Sequence, residues 1–167
     1  MLLEEFNSAD RAAAVIAVRP ALDIARWIDA IVDGRPYASV AALAEAAITA
    51  AAPFSEGELD AALAHHPRIG ARVEGSTAEA AHSRREQPSI DDETAAALVE
   101  GNRAYEERFD RVFLVRAAGR TATEILALLH ERLGSTDEQE LAVVEQQLRE
   151  IAALRLEASL QTEGARP

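Results

Sequence analysis

Four serine- or threonine-led capping boxes constrain this chain more than any other feature: Ser55 with Glu58, Ser76 with Glu79, Thr121 with Glu124 and Thr136 with Gln139. In each, the hydroxyl can accept from the backbone N–H three residues on while the acid or amide reaches back to the cap's own N–H, so each marks a helix start. Proline and glycine supply the stops. A helix opening at Ser8 has to end before Pro20, and a second, with Leu22, Ala25, Ile28 and Ile31 or Val32 as its buried stripe, halts at Gly34 and Pro36. Ser39 opens an alanine-rich helix that closes before Pro53. Pro67 ends the turns over residues 59–66, because the residue before a proline is pushed out of the α region. The Ser76 helix runs through Glu86 to Pro88, and Asp91 or Asp92 opens one with Leu98, Asn102, Tyr105 and Phe109 on a single face. In the Thr121 helix Ile125, Leu128 and Leu129 point inward before Gly134, and in the last helix Leu141, Val144, Leu148 and Ile151 repeat at intervals of three and four.

Only Arg111-Val112-Phe113-Leu114-Val115-Arg116 has a β-like composition, and a lone run cannot make a sheet. The expected fold is therefore all-α, a compact bundle of about seven to eight helices with one short extended segment. With 167 residues, 49% of them apolar, the chain is long enough for a real core, and residues 1–160 are expected to form a single domain. Residues 161–167 lack apolar anchors and are expected to fray. No period of about 20 to 50 residues suggests a solenoid.

Composition removes several chemistries. There is no cysteine, so disulfides, thiolate nucleophiles and cysteine-ligated zinc are excluded. There is no lysine either: all 17 basic residues are arginine, which excludes a lysine Schiff base and the lysine of a phosphate-binding loop. A net charge of −12 opposes a nucleic-acid or anionic-membrane partner. The N-terminus has no basic or apolar leader character, no stretch suits a membrane span, and the final Gly-Ala-Arg-Pro is not a peroxisomal signal, so a cytoplasmic location is expected. Glu79-Ala-Ala-His82 has the spacing of a helical di-iron ligand pair but no second copy, so no metal site is expected.

Three places can carry chemistry. His66 stands at a helix end, beside a proline that fixes its backbone, and suits either a general acid or base or a plain helix-terminal histidine. Its neighbour His65 diverges by about 100°, so only one of the two can face a given pocket. Ser83, Glu86 and Gln87 share one helix face that offers donors and acceptors to a small polar ligand, or simply to water beside Arg84 and Arg85. The stretch over residues 116–120, Arg-Ala-Ala-Gly-Arg, joins the extended run to a capped helix, where guanidinium forks and backbone groups can hold carboxylate or carbonyl oxygens.

The ordered blocks Phe6-Asn7, His66-Pro67-Arg68-Ile69-Gly70, Ser83-Arg84-Arg85-Glu86-Gln87 and Asn102-x-x-Tyr105-x-x-Arg108-Phe109 resemble the 2-oxo-4-hydroxy-4-carboxy-5-ureidoimidazoline (OHCU) decarboxylase family. The resemblance continues through Val112-Phe113-Leu114-Val115, Gly119-Arg120-Thr121, Glu124-Ile125-Leu126 and Arg132-Leu133 to Leu154-Arg155-Leu156. It implies a cofactor-free carboxy-lyase that releases CO2 from a ureidoimidazoline to give (S)-allantoin in urate degradation. His66 would be the acid/base, with Glu86 also catalytic, and Pro67, Ser83 and Gln87 would surround the substrate. Leu114, Val115, Arg116, Ala118 and Arg120 would add contacts from the extended segment, largely through backbone. The same resemblance implies a homodimer and functional coupling to hydroxyisourate hydrolase and urate oxidase. Two positions depart from the usual family wording: Pro88-Ser89 replaces Ala-Gly, and Ala118 stands where an arginine is common. A non-catalytic helical module that binds a ureide or a protein is the alternative reading.

Overall fold

The computed structural model describes residues 1–64, 66, 68, 69 and 91–160. The fold is all-α, with eight helices and no strand among these residues. They are α1 (Leu3–Ser8), α2 (Arg11–Val18), α3 (Ala25–Asp33), α4 (Val40–Thr49), α5 (Glu56–Leu63), α6 (Asp92–Phe109), α7 (Ala122–Arg132) and α8 (Asp137–Ser159). The expected helix from Ser76 and its capping box lie outside the described residues. The chain divides into two compact units, one of Met1–Phe54 with Leu148–Pro167 and one of Ser55–Gln147.

In the first unit the sequence signals mostly hold. Ser39 caps α4 by accepting from the Ala42 N–H, and α3 ends at Gly34. The start of α2 differs from expectation. Asp10 rather than Ser8 is its cap, because the Ser8 hydroxyl donates back to the Glu4 carbonyl and is spent closing a short helix of its own, α1. The apolar face of α3 buries Trp27, Ile28, Ile31 and Val32, whereas Ala25 is exposed and Ile24 takes the buried place. The Trp27 indole N–H donates to the Ala47 carbonyl at 2.9 Å, so the largest core side chain leaves no orphan donor. Arg149 donates to the carbonyls of Ile48 and Ala50 and lies 3.8 Å from the Phe54 ring centroid, satisfying acceptors at the end of α4 that have no helical partner.

The second unit builds its core from α6 and α7. Leu98, Tyr105 and Phe109 of α6 meet Ile125 and Leu129 of α7, with Phe113, Val115 and Ala117 from the connecting segment and Ile69 from just beyond α5. Tyr105 packs tilted on Phe109 at 4.8 Å and edge-on to Phe113 at 5.1 Å, the arrangements that ring quadrupoles favour. Capping boxes open α5 and α7 at Ser55/Glu58 and Thr121/Glu124, Thr136 and Gln139 exchange the corresponding bonds at the head of α8, and Asp91 caps α6. Residues 111–116 form neither helix nor strand, as a lone extended run should.

Candidate active site

The turn after α5 positions the first candidate residue. The helix stops at Leu63, three residues earlier than the proline alone dictates, and the His66 N–H donates to the Leu63 carbonyl at 2.9 Å. His66 is half-buried, with Nδ1 3.0 Å from the Ala62 carbonyl oxygen. A carbonyl only accepts, so this bond places the proton of the neutral ring on Nδ1 and the lone pair on Nε2. The arrangement fixes one tautomer in the manner required of a general base.

Two contacts anchor the chain just beyond His66 to α6. Arg68 pairs in bidentate fashion with Glu106, Nε to Oε1 at 2.5 Å and Nη2 to Oε2 at 2.7 Å, and the Asn102 amide donates to the Ile69 carbonyl at 3.0 Å. Asn102 is 3% exposed, and its Oδ1 has no hydrogen-bond partner among the described residues. Arg68, Ile69, Val99, Asn102, Arg103 and Glu106 line a cleft of about 240 Å³ at this place. The Asn102-x-x-Tyr105 pair thus has two structural duties: its amide ties down the histidine-bearing segment and its phenol enters the core.

The second candidate region runs over residues 114–120. Leu114 and Val115 are buried, and Arg116, Ala118 and Arg120 are half-buried. The Leu114 carbonyl accepts from Arg132 at 2.6 Å, and the Arg116 N–H donates to Gln147 Oε1 at 2.8 Å. Arg120 donates through its guanidinium to the Arg116 carbonyl and through its N–H, at 3.0 Å, to the Ala117 carbonyl. Gly119 has φ +80°, so residues 117–120 have the pattern of a type II turn with glycine at its left-handed position. At least one face of the Arg120 guanidinium is therefore occupied within the protein rather than held ready for a ligand.

A buried charge cluster supports this segment. Arg132 and Glu140 are 7% and 1% exposed, with Arg132 Nε 2.9 Å from Glu140 Oε1 and its Nη2 on the same oxygen. The fully buried Tyr105 hydroxyl donates to Glu140, and the Arg132 guanidinium lies 4.7 Å from the Phe113 ring centroid. Burial, then the neighbouring Glu140 carboxylate, pushes the Tyr105 hydroxyl above its ordinary range, which keeps it a donor.

Neither Arg132, Glu140 nor Gln147 is a site candidate on sequence grounds. A signal was present for two of them. Extending the apolar period of α7 from Ile125 and Leu129 lands on Arg132, and extending that of α8 back from Val144 lands on Glu140. Opposite charges at two buried stripe positions call for each other. Pro67, Ser83, Glu86 and Gln87 lie outside the described residues, as do His65, Glu79 and His82.

The chain matches the OHCU decarboxylase family model over residues 7–157. Its structure is similar to an (S)-allantoin synthase crystal structure, with a TM-score of 0.71, 19% identity and coverage of 96% of this chain and 54% of that one. It therefore spans about half the length of that protein. It is also similar to an OHCU decarboxylase crystallised in the presence of (S)-allantoin, with a TM-score of 0.65, 20% identity and coverage of 89% of this chain and 96% of that one. No match was found among the curated proteins. At these identities the two structures speak for the fold, while the family match covers most of the sequence: the chain belongs to the OHCU decarboxylase family of carboxy-lyases.

Proposed function

We propose that this protein decarboxylates OHCU to (S)-allantoin without a cofactor, with His66 as the proton donor. The observation that carries the reading is the family match over residues 7–157, with the half-buried His66 held in a single tautomer inside it. The substrate brings its own electron sink. As the bond to the carboxylate breaks and CO2 departs, its electron pair forms a ring double bond and the imine pair moves to nitrogen, which takes a proton; the enol so formed then gives up its hydroxyl proton and becomes the carbonyl as the ring carbon bearing the ureido group takes up a proton. The enzyme has to hold the carboxylate out of the ring plane and deliver that proton to one face. His66 Nε2 in its protonated form serves as the donor, since Nδ1 is committed to the Ala62 carbonyl. Glu86 or Gln87 holds the ureido group, Pro67 and Ser83 complete that wall, and the segment from Leu114 through Arg120 supplies backbone and guanidinium contacts.

This reading extends to a homodimer in solution, a cytoplasmic location and supply of substrate by urate oxidase and hydroxyisourate hydrolase. Domain organisation follows the same reading, with residues 1–160 acting as one functional unit. The test is the initial rate of consumption of freshly generated OHCU. His66→Asn should lower kcat by about 10²-fold or more, the usual share of a positioned acid or base, while melting at the parental temperature. A parental kcat in this variant would remove His66 from the mechanism.

A further inference from the structure

Two side chains grip the Leu114–Arg116 backbone from behind, and the peptide planes transmit that grip to the residue between them. The Leu114 C=O, held by Arg132, belongs to the same peptide unit as the Val115 N–H; the Arg116 N–H, held by Gln147, belongs to the same unit as the Val115 C=O. Both peptide bonds are trans, so within each unit the C=O and N–H point in opposite directions. Holding one end of each plane sets the direction of the other. Val115 is 7% exposed, yet neither its N–H nor its C=O is engaged in a hydrogen bond with the described residues. Buried backbone groups are rarely left without partners, and a pair aimed by two clamps is suited to a ligand.

We propose that Arg132 and Gln147 are positioning residues: they preset the Val115 N–H and C=O as a donor–acceptor edge for an amide-type group, an N–H beside a C=O, of the bound substrate. This inference rests on the decarboxylase reading, whose ureidoimidazoline carries such groups. Arg132 suits the task because it cannot wander. Glu140 takes its Nε and Nη2, Phe113 covers its face, and only Nη1 remains directed at the Leu114 carbonyl. Gln147 is half-buried and reaches the segment from the middle of α8, outside the core residues of that unit, so its loss spares the core.

The edge binds the same groups before and after CO2 leaves, so its disturbance belongs in KM more than in kcat. Gln147→Leu removes the acceptor that holds the Arg116 N–H; Gln147→Glu keeps an oxygen there. The experiment is steady-state kinetics of both variants on freshly generated OHCU, beside the parental protein. The expected result is a KM about tenfold higher in Gln147→Leu with kcat within about threefold of parental, and a KM within about threefold of parental in Gln147→Glu. A merely structural role would lower the active fraction, seen as a reduced kcat with KM unchanged, and that result overturns the proposal. Unchanged kinetics in Gln147→Leu overturn it as well. If the parental protein itself fails to accelerate decarboxylation, the decarboxylase reading fails first and the proposal falls with it.

Discussion

Gly119 is the residue where backbone conformation alone sets the local path. Its φ of +80° belongs to the left-handed side, and an added Cβ would meet no atom of the described residues within 4 Å, so the cost of substitution is backbone strain. Gly119→Ala should cost about 1–2 kcal/mol, read as a lower urea midpoint at unchanged m-value. At this scale the sequence was legible where a residue's role is local. Ser39, Ser55 and Thr121 cap as their positions promise, and His66 leaves a helix end toward a proline. It was illegible where the role depends on tertiary partners. Gln147 reads as one more polar residue of an acidic helix, and only the fold brings its amide oxygen to the Arg116 N–H. Ser8 shows the converse, a sound capping residue whose hydroxyl a neighbouring carbonyl claims first.

The helices owe their boundaries to charge as well as to hydrogen bonds. The backbone N–H and then the hydroxyl of Thr121 hold the Glu124 carboxyl below its ordinary value of 4.5, and the N–H and hydroxyl of Thr94 do the same for Asp91, whose ordinary value is 3.8. A carboxyl depressed by folding stabilises the fold fully above its unfolded pKa, and that contribution is lost as pH falls through the folded value. The melting temperature should therefore drop as pH falls below about 5. Glu124→Gln keeps an acceptor for the Thr121 N–H, so it should melt near the parental temperature at neutral pH and show a shallower decline in acid; a decline as steep as the parental one would remove Glu124 from the cause. Element type was the most legible level, because the three capping boxes among the described residues, Ser55/Glu58, Thr121/Glu124 and Thr136/Gln139, act within a few residues. Ends were less so: α5 closes at Leu63, since the turn at residues 63–66 forms before Pro67 has to intervene.

In the second unit, the buried charges of Arg132 and Glu140 come with partners already built for them. The Arg132–Glu140–Tyr105 cluster sits inside the second unit and ties α6, α7, α8 and the 114–116 segment of that unit together. Removing one charge strands the other, so Arg132→Met should destabilise by about 3–5 kcal/mol, whereas Tyr105→Phe, which leaves the Arg132–Glu140 pair intact, should cost about 1 kcal/mol. Chemical denaturation of both variants measures the difference, and equal losses would contradict the cluster's hierarchy. No composition argument predicts such a cluster in an alanine-rich bundle, because charge patterning is ordinarily a surface property. The all-α architecture and the family blocks were legible throughout, while the faces that meet depended on which charges are buried. The central claim is one-handed decarboxylation, and circular dichroism of the allantoin formed when urate oxidase and hydroxyisourate hydrolase generate OHCU, with and without this protein, tests it most directly. The account predicts a rapid (S)-allantoin signal that appears only with the protein; slow, racemic product in both samples would contradict it.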